Sequence, residues 1–184
     1  MNPDELLTFL KSRRVVRTFT AEPVGTDDLQ QMTEAARWAT RGGNQHLLKF
    51  LIVRDPETIR RIRTMSPGML SAPPALIVIL FDRNSAIEKG AQVGKDYSNS
   101  VDVGTAAMNM ALQAHALGLG SCPVTSFSQS GTAEMLDLPG HLTLEFILIV
   151  GHPDPHPRPK SANTPKSITA RELTFWERAG NFEP

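Results

Sequence analysis

One cysteine in 184 residues is a marked scarcity. A single thiol rules out an intramolecular disulfide framework and any site assembled from several thiolates. There is no surplus of charge either, with Lys+Arg 19 balanced by Asp+Glu 19. A chain that coats nucleic acid or an anionic membrane needs excess cations, so neither is expected as a partner. No apolar run approaches the roughly 20 residues that span a bilayer. The opening MNPDELLTFLKSRR lacks the apolar core of a secretory signal, and a soluble cytoplasmic protein is the expectation. Nucleotide-binding glycine motifs are also missing. No GxxxxGK[ST] is present, and Gly118-Leu119-Gly120 follows a helical pattern with Pro123 where a third glycine would stand.

The length fits one domain with an extension, and no internal repeat divides it. Asn2-Pro3-Asp4-Glu5 opens a helix that runs to about Ser12. Thr26-Asp27-Asp28 is expected to cap a second, with Leu29, Met32, Ala36 and Ala39 on one face, stopping at the turn Arg41-Gly42-Gly43-Asn44. Residues 48–54 read as a strand, and Asp55-Pro56-Glu57 starts an Arg-rich helix. Residues 75–81, ALIVILF, are apolar on both faces and so belong at the centre of a sheet. The pattern Val101, Thr105, Met108, Leu112, Ala116 predicts a long helix over residues 98–117, apolar nearly all round and therefore covered on most sides. Residues 121–127 form a short strand or extended loop, 130–136 a short helix, and 142–150 a final strand. Prolines alternate from Pro153 to Pro159, which makes a stiff extended segment leading to an amphipathic stretch at 170–178. Helices and strands mix without regular alternation, so the expected fold class is α+β.

Three features can carry chemistry. Lys11-Ser12-Arg13-Arg14-Val15-Val16-Arg17 gathers three guanidiniums in five residues, whose planar forks suit a phosphate; a solvated helix end reads equally from this cluster alone. Arg41-Gly42-Gly43-Asn44-Gln45-His46 lets backbone pass close to a flat group while Asn44 offers donor and acceptor, or is an ordinary turn. Pro123, Val124, Thr125 and Ser126 extend a stretch of small residues whose backbone N–H groups are available to a ligand. Cys122 has no local histidine to activate it and reads as a buried small hydrophobe. His152, Asp154 and His156 alternate with prolines and do not read as a metal cluster.

Taken together, RRVVRTFTAEPVGTDDLQQMTEAARWATRGGNQHLLKFLIV, DVGTAAMNMALQAHALGLGSCPVTSF and LTLEFILIVGHP resemble, in order and spacing, the signatures of the nitroreductase family. The resemblance implies an α+β sandwich with a central, mostly antiparallel sheet flanked by helices, and an intertwined homodimer with FMN at the subunit interface. It implies a domain over residues 1–152 and a Pro-rich extension over 153–184 that packs on the partner. By family position Arg13 and Arg17 would grip FMN, with Arg14 and Val15 contributing, and Asn44 would lie against its ring. Pro123, Val124, Thr125 and Ser126 would come from the other subunit, with a backbone N–H directed at flavin N5. NADH or NADPH would supply hydride to the flavin and a small electron-poor acceptor, a nitroaromatic or quinone, would remove it. Such chemistry rests on positioning, and no acid, base or nucleophile of this chain need be tuned for it.

Three positions depart from the family pattern. Val15 replaces a serine whose hydroxyl usually bonds the cofactor. His46-Leu47-Leu48 stand for the family's Gln-Pro-Trp, and the family's arginine shortly before the tail helix has no clear counterpart, Lys160, Asn163 and Lys166 being the nearest polar candidates. Each missing contact is worth about 1 to 2 kcal/mol if nothing replaces it. The alternatives are a flavin-binding module without turnover, and a structural homodimer whose arginines meet an acidic partner.

Overall fold

The computed structural model describes residues 2–90, 96–156 and 168–182. The alternating prolines beyond residue 156 and the polar candidates Lys160, Asn163 and Lys166 lie outside them. Four strands form one sheet: β1 (Leu48–Val53), β2 (Ala75–Asp82), β3 (Gly120–Val124) and β4 (Leu142–Gly151). Their order is β1-β2-β4-β3, and every neighbouring pair is antiparallel. The expected α+β architecture with an antiparallel sheet is thus what the chain adopts.

Period-two alternation explains why β2 is apolar on both faces. Ala75, Ile77 and Ile79 point into a core shared with α2 (Thr26–Arg37) and α5 (Asp96–Ala116). Leu76, Val78 and Leu80 point into the opposite core, with Ile59 and Ile62 of α3 (Pro56–Thr64) and with residues of β3 and β4. On that same side α6 (Gln129–Met135) closes the layer, capped by Ser128. The helices therefore sandwich the sheet.

Helix α1 (Pro3–Ser12) is fixed at its start by a reciprocal cap: Glu5 N–H donates to Asn2 Oδ1 and Asn2 N–H to Glu5 Oε2, both at 2.8 Å. It nonetheless buries none of its residues, and Leu6, Leu7 and Leu10 remain exposed. The start of α2 differs from expectation. Gly25 occupies the cap position in extended conformation, and Thr26 is already helical, its hydroxyl accepting from Arg54 at 3.0 Å. This helix also ends at Trp38, before the glycine turn, which forms a separate 3-10 turn over Gly42–Asn44. A short helix α4 (Arg83–Glu88), not anticipated, is started by Asp82, which accepts from Ser85 N–H at 3.1 Å and Ser85 Oγ at 2.8 Å. The amphipathic stretch at 170–178 holds only the 3-10 turn Arg171–Leu173, and residues 168–182 are exposed throughout. A lone short helix with no surface to pack on is marginal in water. No helix among the described residues is long and apolar enough to cross a membrane.

Candidate functional site

Strand β3 lies at an edge of the sheet, and the chain leaving α1 runs alongside it. Arg13 turns from helix to extended backbone, Val15 makes a parallel bridge to Ser121, and Val16 N–H donates to Ser121 carbonyl at 3.0 Å. The chain then crosses the end of the sheet: Thr20 N–H donates to His152 carbonyl at 3.0 Å and Asp154 N–H to Thr18 carbonyl at 3.1 Å. Two glycines make room for this crossing. Gly120 and Gly151 face each other in the β3/β4 register. A Cβ on Gly120 would stand 2.6 to 2.8 Å from the side-chain carbons of Val16, and one on Gly151 2.6 and 2.7 Å from Pro74 Cδ and Cγ and 2.9 Å from Phe19 Cδ1. Neither glycine has a positive φ, so close approach alone demands them.

This packing holds the arginines beside β3. Among the described residues the guanidiniums of Arg13 and Arg17 have no hydrogen-bond or ion-pair partner. Arg14 donates to the carbonyls of Lys11 and, at 2.9 Å, Arg13, closing the end of α1. The carbonyl of Arg17 accepts from Ser71 Oγ at 2.5 Å. From that same loop Gly68 N–H donates to Ser126 carbonyl at 3.1 Å, which ties residues 66–71 across the end of β3. Val124 is buried, whereas Pro123, Thr125 and Ser126 are exposed. The backbone N–H groups of Thr125 and Ser126 donate to no described group. Cys122 is buried, and burial pushes its thiol above the usual value, partly opposed by the Arg17 charge. A cavity of about 320 Å³ lined by Arg13, Arg14, Val16, His115 and Ser121 opens between the end of α1 and the end of α5. There Ser12 Oγ lies 2.6 Å from His115 Nε2, and the His115 ring rests 5.0 Å from that of Phe9.

Asn44 stands elsewhere. Its turn is fastened to the other end of α5, where Gly42 N–H donates to both oxygens of Asp102 at 3.0 and 3.1 Å. Asp102 and His115 are 13 residues apart in sequence, so these anchors lie about 20 Å apart along the helix axis. Gly43 and Asn44 both take left-handed backbone, φ 57° and 54°, which Gly and Asn tolerate better than other residues. Asn44 Oδ1 accepts from Arg41 Nη2 at 3.0 Å. One chain thus lays residues 13–17 along the start of β3 at Ser121, with Pro123 to Ser126 farther on in the same chain, and leaves Asn44 at the far end of α5. The sequence marks Gly120 within Gly118-Leu119-Gly120 and Gly151 within LTLEFILIVGHP, but not the close approach that each accommodates.

A model of the nitroreductase family matches residues 10–73 and 64–152. The chain belongs to the nitroreductase family. Among its relatives is an FMN reductase [NAD(P)H] of Bacillus subtilis, 26% identical over 165 residues that make up 82% of this chain and 66% of that protein. An FMN-dependent nitroreductase of Clostridium difficile, 25% identical, superposes with a TM-score of 0.68 over 85% of this chain and 92% of its own. A nitroreductase from Desulfovibrio desulfuricans, solved in complex with FMN, shares the fold at 24% identity and a TM-score of 0.74, over 97% of this chain and 98% of its own. Within this family fold the arginine segment and the crossing over Gly120 and Gly151 fall inside the matched residues. The tail beyond residue 152 falls outside them.

Proposed function

We propose that this chain is an FMN-dependent oxidoreductase that takes hydride from NADH or NADPH and passes it to a small electron-poor acceptor such as a nitroaromatic or quinone, the two taking turns in one pocket. The observation that carries the reading is the pair of guanidiniums, Arg13 and Arg17, which have no partner among the described residues, on a segment that runs along the start of β3, the strand that leads to two backbone N–H groups, of Thr125 and Ser126, that donate to no described group. Clustered guanidiniums repel one another unless an anion sits between them. A phosphate ester meets that need, and a heterocycle with acceptor atoms along its edge suits the free N–H groups of Thr125 and Ser126. The relatives named for FMN support the identity of that ligand.

FMN, when bound, supplies the hydride-carrying ring. The chain's own residues hold it. Arg13 and Arg17 would bind the phosphate, with Arg14 closing α1 behind them, and Val15 offers backbone and a methyl surface in place of a hydroxyl. Pro123 and Val124 set the direction of the chain so that the amides of Thr125 and Ser126 can orient the ring. Asn44 reaches the same ligand only from a second copy of the chain, because its own arginines lie at the other end of α5. The homodimer accords with the apolar side chains one copy leaves in water: Leu6, Leu7 and Leu10 of α1, Val101 and Met108 of α5, and Leu173, Phe175 and Trp176 of the tail. In this reading residues 1–152 form the flavin domain and 153–184 an arm that packs on the partner.

Anaerobic titration of the purified, FMN-loaded protein with NADPH and NADH tests the reading. Bleaching of the flavin band, and its return on adding a quinone, is expected. A protein that takes up FMN but is bleached by neither nucleotide is a binding module without turnover.

A further inference from the structure

Helix α1 rests on its own chain at one histidine. Of its ten residues only Phe9 is half-buried and the others are exposed, and the ring that meets Phe9, 5.0 Å away and tilted by 35°, is that of His115. His115 stands in the last turn of α5, where Gly118 N–H donates to its carbonyl at 3.1 Å and Leu119 N–H donates to the Ala114 carbonyl at 2.8 Å. Gly118, at φ 74°, then turns the chain into β3. The histidine is therefore mounted on the same rigid corner as the strand beside which the arginines run.

The hydrogen bonds at this contact assign its protons. Ser12 Oγ lies 2.7 Å from the Phe9 carbonyl and 2.6 Å from His115 Nε2. A hydroxyl has one proton and a carbonyl can only accept, so Ser12 donates to Phe9, and Nε2 carries the proton that it gives to Ser12. This relay closes the last turn of α1 one residue before Arg13. Arg13 then leaves the helix in extended backbone, and Val16 N–H fastens the segment to the Ser121 carbonyl. A short helix with so little covered surface frays when it is left untied.

We infer that His115 is a positioning residue for the phosphate grip: through Ser12 and Phe9 it fixes where α1 ends, and so where the Arg13 side chain starts. Its Nε2 is spent on Ser12, so it acts through that residue and not on the ligand. Holding Arg13 in place before the ligand arrives removes an ordering cost that binding would otherwise carry. The inference rests on the flavin reading above.

Titration of the full-length, flavin-free protein with FMN, and in parallel with riboflavin, which lacks only the phosphate, tests this by flavin fluorescence. The parent is expected to prefer FMN. His115→Phe keeps a ring against Phe9 and removes the donor; it is expected to weaken FMN about fivefold or more and riboflavin by no more than about twofold. His115→Gln, whose amide nitrogen can stand where Nε2 does, is expected to restore the preference. Ser12→Ala is expected to reproduce the loss and to add nothing to it in the double variant with His115→Phe. An FMN preference that both single variants keep, a loss that riboflavin shares equally, or additive effects of the two overturns the inference and leaves the flavin reading standing. A parent that binds neither flavin, or both alike, overturns the two together.

Discussion

Replacing Gly120 with alanine probes how the fold delivers the arginines to their site. The added methyl would meet Val16 Cβ at 2.6 Å, Cγ1 at 2.7 Å and Cγ2 at 2.8 Å, about 1 Å inside the usual contact distance. Val16 cannot rotate away, because its own Cβ is the closest of the three atoms. The backbone of residues 13–17 must therefore shift off β3, which strains or breaks the 3.0 Å bond from Val16 N–H to Ser121. Overpacking and the lost bond together destabilise by about 2 to 4 kcal/mol. Displacement of Arg13 and Arg17 is expected to raise the Kd for FMN about tenfold or more, read by quenching of flavin fluorescence on titration with apoprotein. The double variant Val16→Gly with Gly120→Ala removes all three crowded atoms and is expected to recover most of the affinity, a coupling that a double-mutant cycle measures. If Gly120→Ala binds FMN like the parent, or if the double variant is no better than the single one, the reasoning fails.

Arg17→Gln is expected to weaken FMN by about 1.5 to 3 kcal/mol, the worth of a hydrogen bond to a charged group, with little change in urea midpoint; an unchanged Kd would remove Arg17 from the site. Ile77→Ala, in the centre of β2 with no exposed surface, is expected to cost about 2 to 5 kcal/mol in urea unfolding. Asp82→Asn removes the carboxylate at the start of α4, where hydrogen bonds from Ser85 backbone and side chain, then the Lys49 charge, hold its carboxyl below the usual value. A depressed carboxyl adds stability above its unfolded pKa that is lost as pH falls through the lower folded value. The parent and Asp82→Asn should therefore differ most near neutral pH and converge below about pH 4; a constant difference down to pH 2 would contradict this assignment.

Most of the fold was legible because its signals are local. The cap at Asn2, the cap and proline at Asp55-Pro56 and the two-faced apolar run of β2 each appear within a few residues and stand where expected. What the sequence hid is non-local. Gly120 is tight because Val16, more than 100 residues earlier in the chain, crosses over it, and Gly151 because Pro74 and Phe19, both distant in sequence, close on it. Helix α4 is short and its start depends on Asp82 at the end of a strand, so it carries no period to detect. The tail has an amphipathic pattern without a helix, since among the described residues its apolar side chains stay exposed, Phe175 and Phe182 meeting only each other at 4.6 Å. Arg13, Arg14, Val15 and Arg17 could be picked out by composition. That they run along the start of β3 at Ser121, while Asn44 lies at the opposite end of α5, required the folded chain.

Sedimentation velocity of the FMN-loaded protein, followed at both the protein and the flavin bands, tests most directly whether two copies complete one site. The flavin signal is expected to travel wholly with a species of two chains carrying one FMN each, and Met108→Glu at the exposed face of α5 should part the chains and release the flavin together. Flavin travelling with a single chain, or remaining bound once the chains have separated, would contradict the account.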